Sequence, residues 1–258
     1  GSKQHGISLR ARAQKIGLSL NEYGLTEKKS GELTPYDTEA AVYRALNLPY
    51  IPPELREDLG EIVAAESGNL PDLVELSQIS GDLHVHSDWS DGRVPMEEMV
   101  HEAALRGLEY VALTDHSSGR GIANGLSVAR LTAHNEQVLE VERAAGGIRV
   151  FKGTEVDIRA DGTLDYTDEV LAELDIVIAS VHSGMSQESD VMTARIIKAI
   201  ENPHVTAIGH LTTRFVLERP PVAADFDAIF RAAASNGTLM EINASPKRMD
   251  LKDSHIRQ

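Results

Sequence analysis

Cysteine is absent from the 258-residue chain. That excludes a disulfide framework and a thiolate zinc site, so every metal ligand the chain offers is His, Asp or Glu. No apolar run reaches the roughly 18 residues that span a membrane, and no signal peptide opens the chain, so a cytoplasmic, membrane-free protein is expected. The initiator methionine is missing too, which points to a piece of a longer protein. Positive charge is scarce: 25 Lys and Arg stand against 40 Asp and Glu, a net charge of −15. Taken whole, such a chain is no strong nucleic-acid binder. The deficit is uneven, because residues 1–30 carry Lys3, Arg10, Arg12, Lys15, Lys28 and Lys29 against Glu22 and Glu27. That stretch suits a phosphate backbone, and it equally suits a solvated helix face.

The run Gly81-Asp82-Leu83-His84-Val85-His86 is followed at once by Asp91. On a strand alternate side chains share a face, so His84, His86 and Asp82 point the same way and two imidazoles are placed to chelate one ion. Alone, the motif also fits a surface strand. Four further apolar runs decide the matter: 109–114 leads into Asp115 and His116, 148–153 into Glu155, 175–181 into His182, and 204–209 into His210. A metal-binding residue after each of five consecutive strands is not an expected accident.

The intervening segments read as helices. Pro95 sits at a first helical position before Met96, Met99, Val100, Ala103 and Ala104, with Gly107 as the stop. Ser127 caps a helix to about Ala145, Ser189 one ending at Asn202-Pro203, and a fourth spans about Ala223 to Ala234. Alternating strand and helix predicts a parallel α/β sheet that tends to close into a barrel, with its site at the carboxyl ends of the strands. Every candidate ligand lies there.

The motifs His84-Val85-His86, Asp91, Thr114-Asp115-His116, Gly153 to Asp157, Ser180-Val181-His182 and Gly209-His210 resemble those of the PHP (polymerase and histidinol phosphatase) domain. The resemblance implies a distorted (β/α)7 barrel over 81–258 with up to three divalent ions and nine ligands. Seven positions match: His84, His86, Asp91, His116, Glu155, His182 and His210. It implies one ion on His84, His86 and Glu155, a second on Glu155, His182 and His210, and a third on Asp91 and His116, with Glu155 bridging. The remaining two ligands belong to an Asp-x-His motif after the last strand, which is expected beyond Gln258. Only six strands are countable, the sixth at about Thr238–Ile242, so a truncated barrel lacking its last strand is expected.

The N-terminal stretch is similar to something else. Gly1-Ser2-Lys3-Gln4-His5, Arg10 and Ser19 to Gly24 resemble the thumb subdomain of family X DNA polymerases, and Leu48 to Arg56 resembles the segment closing it in bacterial and archaeal members. A small α+β thumb at 1–58, an acidic helical linker at 59–80 and the barrel at 81–258 follow. Gly1-Ser2 also fits a tag remnant, but the residues after it continue the family pattern. Gly6 departs from that pattern, standing where an asparagine contacts nucleotide or template. The resemblance implies a PolX-type DNA polymerase whose barrel is a manganese-dependent (zinc and iron also suit N/O ligation) 3′–5′ exonuclease, AP endonuclease or 3′-phosphatase in DNA repair. Its partners would be DNA through Gly1, Ser2, Lys3 and Arg10, and dNTP and template in the full-length parent. Without a palm, the chain as it stands is not expected to polymerise. A small-molecule phosphatase of the histidinol-phosphatase type and an inactive structural module are the alternatives.

Other residues carry less. His101, His134, His5, His204 and His255 fall outside the pattern and are expected at the surface or at helix ends. Asp161-Gly162 reads as a turn. Asp115 is expected to hold His116 by a hydrogen bond. Arg214, on the loop after His210, is placed to clamp a substrate phosphate or simply to face solvent. Imidazole ligands must be neutral, so metal affinity is expected to fall as pH drops through ~6.5.

Overall fold

Ser2 caps the first helix, its hydroxyl accepting the His5 N–H at 3.1 Å. The computed structural model, which describes residues 1–119 and 121–258, continues it as α1 (Lys3–Lys15). Its inward face is His5, Leu9 and Ala13, spaced four apart as one helical stripe requires. An antiparallel sheet follows, of β1 (Leu18–Asn21), β2 (Gly24–Glu27) and β3 (Leu33–Thr34), then α2 (Glu39–Ala45) and α3 (Glu61–Ser67). Leu9, Ala13, Leu25, Tyr43, Leu46, Ile51 and Ala65 form its core. This compact unit runs from Gly1 to Glu75. Helix α3, which the sequence places in a linker, therefore belongs to this core: Ala65 seals it, and Glu61 fixes the loop that precedes it.

The second unit, Leu76–Gln258, alternates strand and helix throughout. It comprises β4 (Gly81–Val85), α4 (Met96–Leu105), β5 (Tyr110–Leu113), α5 (Val128–Ala145), β6 (Arg149–Asp157), α6 (Asp168–Leu171), β7 (Ile176–Ser180), α7 (Ser189–Ile200), β8 (Ala207–Ile208), α8 (Phe226–Asn236), β9 (Leu239–Met240) and α9 (Asp253–Ile256). The sheet is parallel, in the order β4-β5-β6-β7-β8-β9. It is curled, because His84 at the end of β4 bonds Glu241 just beyond β9 at 2.7 Å, across 157 residues of sequence.

Helices cover the sheet with their apolar stripes. Met96 and Val100 of α4 and Val138 and Val141 of α5 bury against Val111, Leu113 and Val150. Met192, Ile196 and Ile200 of α7 and Ile229 of α8 bury against Val177, Ala179 and Ile208. Each such side chain contributes about 1.5–3 kcal/mol of transfer free energy. Ser127 caps α5 as expected, accepting the Arg130 N–H. Helix α7 starts at Ser189 itself, after Glu188, with no side-chain cap. Helix α8 starts only at Phe226, because Asp225 supplies the stronger cap, accepting the Ala228 N–H at 2.9 Å. Pro95 precedes α4 rather than opening it, its ψ of 154° being extended. Among the described residues no helix is long and apolar enough to cross a membrane.

Candidate metal centre

Glu155 lies near the carboxyl end of β6 and is almost wholly buried. Five imidazoles surround its two oxygens. His116 Nδ1 stands 3.0 Å, His86 Nε2 3.3 Å and His84 Nε2 3.4 Å from Oε2, and His210 Nε2 is 2.8 Å and His182 Nε2 3.1 Å from Oε1. Asp91 joins through His86 Nδ1 at 2.8 Å and His116 Nε2 at 3.4 Å. All seven residues expected from the strand ends line one cavity of about 250 Å³, with Asn243 and Arg248 completing its wall. The strands explain the convergence: His116 pairs beside Glu155 as an extension of β5 against β6, and His84 and His86 share a face. Asp82 does not join them. The register slips between Asp82 and Val85, and its carboxylate turns back to accept the His84 N–H at 3.1 Å.

The donor set fits divalent cations. A carboxylate offers about four lone-pair positions, too few for five imidazole N–H groups. Among the described residues, Nδ1 of His210 is buried with no hydrogen-bond partner, and Nδ1 of His116 faces Glu155 Oε2 at 3.0 Å outside the direction of a hydrogen bond, a costly state unless another acceptor of their lone pairs is bound. Among the described residues, three groups hold donor atoms within 4.8 Å of one another: His84, His86 and Glu155; His86, Asp91 and His116; and His116, Glu155 and His182. The first coincides with the expected grouping. In the second His86 joins Asp91 and His116, and in the third His116 takes the place expected of His210 beside Glu155 and His182.

Electrostatics follow the crowding. Burial lowers the pKa of His84, but Glu155 and Glu241 outweigh it and raise the ring to about 10. For His86 burial is likewise outweighed, by Asp91 and Glu155, giving about 9. Hydrogen bonding to His86 lowers Asp91 to about 2 despite partial burial. Burial dominates at His116 and lowers it to about 4. Glu155 is held well below the ordinary carboxylate value, its burial overcome by the surrounding histidines.

Several supporting residues escaped the sequence reading. Asp157 accepts from His182 Nδ1 and so turns Nε2 toward Glu155. Glu241 does the same for His84 Nδ1 and also accepts the His210 backbone N–H, at a residue whose φ is +27°. Asp115 does not hold His116. It accepts from the N–H and hydroxyl of Ser87 at 3.0 and 2.8 Å, from those of Ser90 at 3.0 and 2.6 Å, and from His134 Nε2 at 2.9 Å. That network pins the loop that delivers Asp91. His134 is thus fully buried rather than at the surface, because it falls on the apolar stripe of α5. His5 is buried as well, between Glu61 and Tyr43. Of the other discounted histidines, His101 is exposed and His204 and His255 are half-buried. Arg214 does not reach the cavity: it donates to the carbonyls of Arg248 and Met249, and the cation on the cavity wall is Arg248.

In the first unit, Gly1 packs so closely on Arg56 that a Cβ would sit 2.4 Å from the Arg56 Cβ, and Ser2 is spent as the cap of α1. Lys3 and Arg10 are exposed, two turns apart on one face of α1. Gly6 lies between them, its absent Cβ 3.7 Å from an Arg10 nitrogen.

Residues 82–245, more than half of the chain, match the model of the PHP domain. The chain belongs to the PHP family. Residues 1–57 match the DNA polymerase beta thumb. The DNA polymerase/3′-5′ exonuclease PolX of Bacillus subtilis is 41% identical over 256 residues, 99% of this chain and 45% of that protein. A probable phosphatase of Syntrophotalea carbinolica is 33% identical over 168 residues, 64% of this chain and 65% of its own. The chain therefore spans less than two thirds of either relative. The histidinol phosphate phosphatase of Lactococcus lactis, solved with zinc, L-histidinol and phosphate, matches 69% of this chain and 79% of its own with a TM-score of 0.49 and 22% identity. The Bacillus subtilis match thus takes in both the PHP domain and the thumb-like unit, whereas the Syntrophotalea carbinolica match covers only 64% of the chain.

Proposed function

We propose that the PHP domain is a metal-dependent phosphoesterase that trims DNA from the 3′ end, as part of a PolX-type polymerase working in DNA repair in the cytoplasm. The observation that carries the reading is the convergence of five imidazoles and Asp91 on the buried Glu155, beside the cation of Arg248. His84, His86, Asp91, His116, Glu155, His182 and His210 would hold up to three divalent ions, manganese by preference, with zinc or iron also suited to the N/O set. When bound, the ions supply Lewis acidity and lower the pKa of water in the cavity. The chain's own residues do the rest. Glu241 and Asp157 fix the rings of His84 and His182 by their far nitrogens. Arg248 offsets the charge of the phosphate, and Asn243 stands beside it as a hydrogen-bond donor. Lys3 and Arg10 on α1 contact the DNA backbone, while Gly1 and Ser2 shape the turn that presents them; dNTP and template are partners of the full-length parent.

The thumb-like unit favours DNA over a small phosphate monoester, for which it has no use. The test is release of label from a 3′-labelled single strand in Mn²⁺, against release of phosphate from histidinol phosphate. Metal-dependent trimming that His84→Ala and His182→Ala abolish supports the reading. Turnover of histidinol phosphate alone would replace it with the small-molecule phosphatase.

A further inference from the structure

The loop that follows His210 is shaped unlike a simple connector. Phe215 and Arg219 exchange backbone hydrogen bonds at 3.0 and 2.9 Å, and the Val216 N–H donates to the Lys247 carbonyl at 2.7 Å. This tight turn leaves Leu217 at its tip, fully exposed and with φ of +66°. A left-handed leucine in water costs backbone strain and leaves apolar surface unburied, with no return in folding. Val216 beside it is also exposed.

Behind the tip, the guanidiniums of Arg219 and Arg248 lie 4.6 and 4.3 Å from the centre of the Phe215 ring. Arg248 reaches from that ring to the wall of the metal cavity, and its Nη1 is buried with no hydrogen-bond partner among the described residues. The cavity and the loop tip are therefore joined by one basic and apolar wall. Its charge opposes that of the chain: Arg214, Arg219, Lys247 and Arg248 stand against Glu218, in a molecule whose net charge is −15.

We propose that this wall is a binding subsite for single-stranded nucleic acid, taking the nucleotide that flanks the phosphate to be cleaved. The inference rests on the nuclease reading above. An apolar tip among cations is what successive bases and phosphates require together: base faces lie against apolar side chains while the backbone follows the positive charge. Paired bases hide those faces, so the strand bound here is unpaired. A small phosphate monoester would have no reach to Leu217.

Leu217→Asp and Leu217→Trp test it, since a fully exposed position tolerates both without loss of fold. Binding of a fluorescein-labelled oligo(dT) is followed by anisotropy, and binding of inorganic phosphate serves as the probe of the cavity itself. The aspartate variant is expected to weaken oligonucleotide binding about tenfold and the tryptophan variant to strengthen it by a few fold, both within the range of a single stacked base. Phosphate binding should be unchanged in both. Equal oligonucleotide affinity in all three proteins overturns the subsite, and so does parallel loss of phosphate, which would mean that the loop merely props the cavity. Polyglutamate binding with the same sensitivity to Leu217→Asp would also overturn it, in favour of an acidic protein partner. Hydrolysis of the same oligonucleotide in Mn²⁺ reports on the nuclease reading separately: no hydrolysis sinks that reading, whereas hydrolysis and binding both indifferent to Leu217 sink only the subsite.

Discussion

Metal uptake by the PHP domain should expel protons over a pH range far above that of free histidine. In the metal-free protein His84 is raised to about 10 and His86 to about 9, so at pH 7.5 both rings are protonated and face Glu155, Glu241 and Asp91. An ion held by His84, His86 and Glu155 needs both Nε2 atoms free, so it must displace both protons. Each displaced proton gives a tenfold change in apparent affinity per pH unit, about 1.4 kcal/mol. The apparent Kd for Mn²⁺ should therefore fall roughly a hundredfold per pH unit from about 7 toward 9, then about tenfold per unit to 10, then level. About two protons per ion should appear in a weakly buffered solution with an indicator dye at pH 7.5. The same shifts set stability in the opposite sense. Raised histidine pKa values stabilise the metal-free fold fully below ~6.5, and that contribution is lost as pH climbs through about 9 and 10. The metal-free domain should thus lose urea resistance progressively from about pH 6.5 to 10, while the Mn²⁺-loaded domain does not. Release of no protons at pH 7.5, or an affinity that levels off just above 6.5, would refute the argument and restore the behaviour of an unperturbed imidazole.

In the first unit, burial would raise the Glu61 carboxyl, yet hydrogen bonds from His5 and from the Asp58 and Leu59 N–H groups hold it below its usual value. Its contribution is present above ~4.5 and fades as pH falls below that, so the gap in urea midpoint between the protein and Glu61→Gln should close between pH 5 and 3; a constant gap refutes this. His134→Ala removes a partner of a fully buried carboxylate and should cost about 2–3 kcal/mol in chemical denaturation, whereas the exposed His101→Ala should stay within ~0.5 kcal/mol; equal effects would contradict the Asp115 network. At Gly209 a Cβ would meet Ser180 Oγ at 2.5 Å and Ile178 Cγ2 at 2.8 Å, with His84 Cε1 at 3.3 Å. Gly209→Ala should cost about 1–3 kcal/mol and lower Mn²⁺ occupancy by elemental analysis, and full occupancy would show that the sheet yields without moving His84.

The cavity was legible because each strand is an apolar run whose last residue or two must face the open end of the sheet, and His and Glu have no other reason to recur there. The same rule, carried to β9, flags Glu241, but that strand is only two residues long and its flanking Ile242 blurs the boundary. His134 was legible in principle: Leu131, His134, Val138 and Val141 share the buried stripe of α5, and a histidine inside such a stripe needs a buried acceptor. His5 repeats the pattern with Leu9 and Ala13 on α1. Arg214 and Arg248 were not separable in sequence. Which of two loop arginines turns inward depends on backbone carbonyls, here those of residues 248 and 249, that no local pattern reveals. Asp82 was misplaced because alternation assumes an unbroken strand, and β4 slips register after it.

The bond between His84 and Glu241 closes the curl of the sheet across 157 residues, and that separation governs the order in which the domain is made. Contacts so distant in sequence form late, after the nearer β5–β6 and β6–β7 pairings have reduced the loop entropy to be overcome. The ring of His84 is therefore fixed only when β4 and β9 meet, whereas the group of His116, Glu155 and His182 needs only the ends of the adjacent strands β5, β6 and β7. An ion held by His84, His86 and Glu155 then favours the curled form, adding about 2.7 kcal/mol at a hundred times its Kd, so bound metal at that group reports that β4 has found its place beside Glu241.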